Sequence, residues 1–173
     1  MELELHRPRW ERREPDWLAA AVSGFAAGAV LMVLELLWSQ AMGGTSPWRI
    51  SQWVAALVLG PDSLREPAGA FSVFVVGVAL ATHYALGIVF GLVLGFISAG
   101  FHCDTGPGVL AIVGITFGAM LYVFAFHVTT HVFWWLAELR GWPTLAAHLV
   151  FGITASLLYW KLARGRAAAA RRG

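Results

Sequence analysis

Apolar residues fill four long blocks of this chain, roughly Trp17 to Met42, Phe71 to Ala99, Val109 to Leu139 and Pro143 to Leu162, with short polar breaks between them. A hydrocarbon core about 30 Å thick needs about 20 mainly apolar residues in a helix, and each block meets that length. The second and third exceed it, which leaves room for tilt or for extension beyond the lipid. The first resembles a secretory leader in having basic residues before it and the small residues of Ser39-Gln40-Ala41 near its end. Its apolar run is longer than the usual leader core of about 7 to 15 residues, so it reads as a retained span.

The breaks have patterns of their own. In "TSPWRISQWVAALVLG", Ser46 stands where a helix N-cap belongs, Pro47 at the first helical position and Gly60 at a stop. With Trp48 and Trp53 near its start, the segment over residues 47–59 reads as a short helix at the outer membrane interface. Residues 61–69 form a loop, "GFHCDTGPG" with His102 and Cys103 a tight turn, and residues 163–173 a basic tail able to touch anionic lipid heads.

Composition agrees with the pattern: 58% of the 173 residues are hydrophobic and only 13% charged, far from an ordinary soluble domain. The reading is an all-α integral membrane protein, a single four-span helical bundle with an external interfacial helix. Arg7, Arg9, Arg12 and Arg13 precede the first span, and Lys161, Arg164, Arg166, Arg171 and Arg172 close or follow the last. That bias places both termini on the cytoplasmic side of a bacterial inner membrane. The net charge of +2 therefore reports on topology, and nothing points to nucleic acid. A single cysteine excludes an intramolecular disulfide and any multi-cysteine metal site within one chain.

Over about the first hundred residues, "GFAAGAVLMVLE", the "SPWR" segment running into "AALVLG", and "HYALGIVFG" on the next span resemble a group of small bacterial four-span membrane proteins. Some of these carry automated transporter labels. The resemblance implies the same topology and brings no functional residue with it.

The two halves also echo each other. "GFAAGAVLMV" from Gly24 parallels "GITFGAMLYV" from Gly114, and "HYALGI" at His83 parallels "HLVFGI" at His148, as two duplicated helix hairpins would. In lipid, helices associate by close packing, and small residues four apart let backbones approach. Gly24 and Gly28, Gly87, Gly91 and Gly95, and Gly114 and Gly118 are accordingly read as packing seams.

Against this background Glu35, His83, His127, His131 and His148 stand out. An ionised acid at a helix centre costs about 2.5 to 3.5 kcal/mol on insertion scales, so Glu35 must face protein or water, or be protonated. Glu35 shares a helical face with Gly28, His83 with Gly87 and Gly91, and His148 with Gly152 and Ser156. These three are expected to face the bundle interior. His127 lies about 180° around its helix from Gly118 at 3.6 residues per turn. By depth, Glu35, His127 and His148 fall in the outer half, His131 nearer the outer surface and His83 near the middle.

Three kinds of chemistry follow. His127 and His131, at i and i+4, with His148 and Glu35 would give a transition metal an N/O ligand set. A b-type haem needs two histidines from different helices at comparable depth, His127 with His148 first and His83 with His131 second. Alternatively, Glu35, His83, Tyr84, Ser39 and Gln40 line a path for protons or a small solute, a task for which four spans would need an oligomer. In the third reading, the chain is an accessory subunit of a larger membrane complex, its histidines bonding neighbouring helices and Trp134, Trp135 and Trp142 anchoring the interface. Partners on these readings are the lipid bilayer and copies of the chain or other membrane subunits. No nucleophile motif, phosphate loop or acid pair appears, so oxidoreductase chemistry would depend on a bound metal or haem.

Overall fold

Proline in the first turn opens three of the five α-helices, where its missing N–H costs nothing because that donor has no partner inside the helix. In a computed structural model, which describes residues 14–41, 46–65, 67, 69–101 and 106–172, the helices are α1 (Trp17–Ala41), α2 (Pro47–Leu59), α3 (Val73–Gly100), α4 (Pro107–Val123) and α5 (Trp142–Ala170). A 3-10 turn over Pro61–Arg65 follows α2. The described residues contain no strand. The arginines before the first span and the His102–Cys103 turn lie outside the described residues.

Four helices, Trp17–Ala41, Val73–Gly100, Pro107–His131 and Trp142–Ala170, are long and apolar enough to cross a membrane, so the chain is a multi-pass, all-helical membrane protein. α1 packs on α3 and on α5, and α4 packs on α5. The fold is therefore two hairpins, α1 with α3 and α4 with α5, joined along α1 and α5. Between them lies a core of Ala27, Leu31, Leu94, Leu121, Ala147, Phe151 and Ala155.

The glycines make both hairpin seams. A Cβ placed on Gly24 would lie 2.7 Å from Gly91 Cα, and one on Gly152 would lie 2.9 Å from the carbonyl carbon of Gly114. Backbone therefore touches backbone in each hairpin, the contact that small residues permit in lipid. The echoed residues take matching places: Gly24 and Gly28 meet Gly87 and Gly91, while Gly114 and Gly118 meet the stretch from His148 to Gly152.

Two boundaries differ from the sequence reading. α5 does not end near Leu162 but continues to Ala170, so most of the basic tail is helical. At about 1.5 Å per residue its 29 residues span about 43 Å, more than a hydrocarbon core requires. The extension meets the start of α1 through Asp16: one carboxylate oxygen accepts from Ala19 N at 2.9 Å as a helix cap, and the other pairs with Arg166 Nε at 2.7 Å.

The third span is also not one helix to Leu139. α-Helical geometry stops at Val123 and gives way to a π turn over Phe124–Val128, then to 3-10 turns over Thr129–His131 and Trp134–Leu139. Side chains enter the hydrogen-bond ladder at this point, a recognised cause of helix breaks. Thr129 Oγ1 donates to Ala125 O at 2.5 Å, Thr130 Oγ1 to His127 O at 3.3 Å, and Arg140 Nε to Phe126 O at 2.5 Å.

The segment after this break and α2 together form a cap over one end of the bundle. Trp53, Ala56, Phe126, Trp135 and Leu136 cluster there, and Trp135 Nε1 donates to Trp53 O at 3.1 Å. Trp135 is thus buried in the cap, while Trp134 and Trp142 are exposed, so of the three proposed anchors these two have the placement of interfacial ones. Buried Gln52 ties α2 to the loop that follows it, accepting from Gly69 N at 3.1 Å and donating to Pro67 O at 3.2 Å. Ser46 sits at the N-cap position of α2, but its hydroxyl bonds Gly69 O at 3.3 Å instead of a helix N–H. Gly60 ends α2 with φ of 84°, the left-handed conformation that suits glycine.

Candidate functional site

Glu35 lies in the last third of α1, just beneath the cap, at the meeting point of three cavities. Its neighbours along the helix fix this direction, because buried Leu31 and Ser39 lie four residues to either side. Among the described residues Glu35 has no hydrogen-bond or ion-pair partner, and it borders all three cavities.

The largest of these three cavities, about 420 Å³, runs between α1, α5 and the cap. Trp38 from α1, Trp53 from α2 and Trp142 from α5 contribute aromatic wall, and Trp38 and Trp142 meet edge to face with ring centroids 4.5 Å apart. Glu138 and Arg140 lie at its cap side. The Arg140 guanidinium is already engaged, donating to Phe126 O and, through Nη2, to Thr130 Oγ1 at 2.7 Å. Tyr122 Oη accepts from Gly141 N at 3.2 Å and holds the chain where it turns into α5.

The second cavity, about 120 Å³, lies deeper between the two hairpins, and Glu35, His83 and His148 all border it. A third, about 110 Å³, lies between α1, α2 and α3 and is bordered by Glu35 and His83. The wheel positions that send these three side chains inward thus lead to one shared space. Each histidine uses one ring nitrogen on a backbone carbonyl: His83 Nε2 donates to Gly28 O across the α1/α3 seam at 2.9 Å, and His148 Nδ1 donates to Thr144 O within α5 at 2.8 Å. Those bonds orient the rings and leave Nδ1 of His83 and Nε2 of His148 as the remaining ring nitrogens.

His127 and His131 go elsewhere. Both are exposed side chains on the break after α4. The i, i+4 pairing expected of them holds for an α-helix, but His127 lies in the π turn and His131 in the 3-10 turn, where the rotation per residue differs. Among the described residues no three His, Cys, Asp or Glu side chains gather as a metal-holding group, so Glu35, His127, His131 and His148 are not assembled as one ligand set. His127 and His148, the foremost haem pair, each lie beside the Tyr122 ring, with centroid separations of 5.6 and 6.2 Å. Of the second pair, His83 borders the inner cavities and His131 is exposed. Tyr84, on the expected solute path, instead stacks on Phe25 at 4.6 Å, and Gln40 is exposed.

The residues that shape the large cavity were visible one by one but not as a group. Trp38 and Trp142 lie more than a hundred positions apart, and Trp53 comes from a short helix outside the four spans. The usable signal was an acid with a tryptophan three residues later near the end of an apolar block, Glu35 and Trp38. Arg140 was legible only as a loop charge. Its part in the break required the freed Phe126 carbonyl to be seen.

No family model matches the chain, and neither does any curated protein or solved structure. By its fold the chain is a four-span helical membrane protein, with Glu35 on the border of the cavities beneath the cap.

Proposed function

We propose that this protein binds an organic cation in the large cavity, with Glu35 as the anionic anchor and Trp38, Trp53 and Trp142 as its aromatic wall. The carrying observation is Glu35, which has no hydrogen-bond or ion-pair partner among the described residues and borders about 420 Å³ of mostly apolar space. That volume is within the range of small-molecule sites, about 300 to 1,000 Å³. Aromatic faces attract cations, by about 2 kcal/mol or more where water is excluded. A carboxylate in the same space supplies the opposite charge. Arg140 competes little, because its guanidinium already serves Phe126 and Thr130.

The metal and haem readings have less support, since His127 and His131 are exposed and no three ligands converge among the described residues. With the termini on the cytoplasmic side of a bacterial inner membrane, as the basic residues suggest, the cap and the cavity face outward.

Tetraphenylphosphonium and its shape-matched anion tetraphenylborate provide the test, by equilibrium dialysis against protein in mild detergent. The cation is expected to bind with one site per chain, the anion not, and Glu35→Gln to weaken the cation at least tenfold, about 1.4 kcal/mol. Equal binding of both ions, or a Glu35→Gln variant with unchanged affinity, would remove the proposal and favour an accessory role in a larger membrane complex.

A further inference from the structure

We infer that Glu35 exchanges a proton for the bound cation, so that the two occupy its carboxyl in alternation and never together. The inference rests on the cation-binding reading above and adds to it a coupling between ligand and proton.

The argument begins with what surrounds the carboxyl. α2 and α4 bring no titratable side chain to the three cavities that Glu35 borders. α3 brings His83 and α5 brings His148, while the connection before α5 brings Glu138 and Arg140. None of these forms an ion pair with Glu35 among the described residues. His83 and His148 are each held to a backbone carbonyl, and Arg140 is held to Phe126 and Thr130. Among the described residues no cation is ion-paired with this carboxylate.

A carboxylate in apolar surroundings requires a positive charge beside it, because removing it from water unpaired costs far more than pairing it. Two sources can supply that charge here, a proton on the carboxyl oxygen or an organic cation in the large cavity. A protonated carboxyl is neutral and offers the cation no ion pair. Entry of the cation thus favours breaking the O–H bond, the proton leaves to water, and the carboxylate pairs with the cation. No covalent bond to the ligand forms, no electrons are transferred, and total charge is conserved.

Position gives the exchange a geometric basis. Glu35 borders both the large cavity and the inner cavity that His83 and His148 also border. The inner cavity, about 120 Å³, has room for several water molecules and is bordered by polar groups that can hold them. Water in the inner cavity and a cation in the large one would thus both adjoin Glu35.

The experiment is calorimetric titration of the purified full chain with tetraphenylphosphonium across pH 5 to 9, in pairs of buffers with different ionisation heats. The buffer dependence of the heat counts protons released. Exchange predicts up to one proton released per cation bound, and an affinity that rises as much as tenfold per pH unit before levelling once the free carboxyl is ionised. Glu35→Asp is expected to keep the proton release, and Glu35→Gln to bind weakly at every pH with no release. The single variants His83→Gln and His148→Gln separate the histidines from Glu35. If proton release disappears in either histidine variant while Glu35 is intact, the histidine is the titrating group and the inference is wrong. Wild-type binding with no proton released at any pH overturns the exchange but leaves cation binding standing. Absence of binding at every pH overturns the cation site itself.

Discussion

Replacing Gly24 with alanine is the sharpest test of how the bundle is held together. The added methyl would lie 2.7 Å from Gly91 Cα, short of the 3.4 Å at which ordinary contact begins. The obstructing atoms are backbone, with the Gly87 carbonyl oxygen closer still than Gly91 Cα, and cannot rotate aside, so α1 and α3 must separate by more than about 0.7 Å or tilt. Overpacking of this kind costs about 1 to 3 kcal/mol. Alanine also recovers up to about 1 kcal/mol of helix propensity, a gain that must be removed before the seam can be read. Gly77 provides the correction, because it lies on the exposed side of α3 and a methyl there meets nothing within 4 Å. Gly77→Ala should be neutral or slightly stabilising, leaving a difference of about 1 to 3 kcal/mol between the two variants. Reversible unfolding in mixed micelles, followed by tryptophan fluorescence, measures both on one scale. A Gly24→Ala variant within about 0.5 kcal/mol of Gly77→Ala would refute the close seam, since no backbone contact of that length tolerates a methyl for less.

Two further outcomes test the ends of the bundle. Gln52→Leu should free the loop at Pro67–Gly69 at a cost of about 0.5 to 1.5 kcal/mol for each hydrogen bond lost, seen as faster proteolysis between α2 and α3; an unchanged cleavage rate would show that the loop is held by other means. Asp16→Ala should destabilise by about 0.5 to 2 kcal/mol through loss of the α1 cap, and Arg166→Ala by less, because an exposed ion pair contributes about 0 to 1 kcal/mol; equal losses would make the pair, not the cap, the source.

Lipid solvation explains why so much of the architecture could be read from the chain. Four apolar blocks must be helical in a bilayer, since each backbone polar group there has to be satisfied within its own segment. The glycines at intervals of four marked the seams for the same reason, as close packing is what holds such helices together. Periodicity also sent Glu35, His83 and His148 inward, and all three border the inner cavity.

Only the tertiary structure decided what those residues meet. An i, i+4 histidine pair carries meaning while the helix is an α-helix, and Thr129, Thr130 and Arg140 divert the backbone into π and 3-10 turns at His127 and His131. The competing bonds come from hydroxyls a few residues away and from a guanidinium fourteen residues downstream, and no local pattern shows that they prevail. The large cavity depended on more distant pairings still, with Trp38, Trp53 and Trp142 brought together by the docking of the cap on α1 and α5. Solvent dictates which segments cross the bilayer, and that is written locally in hydropathy. The space beside Glu35 is a gap between surfaces far apart in the chain, and it exists only once they have packed.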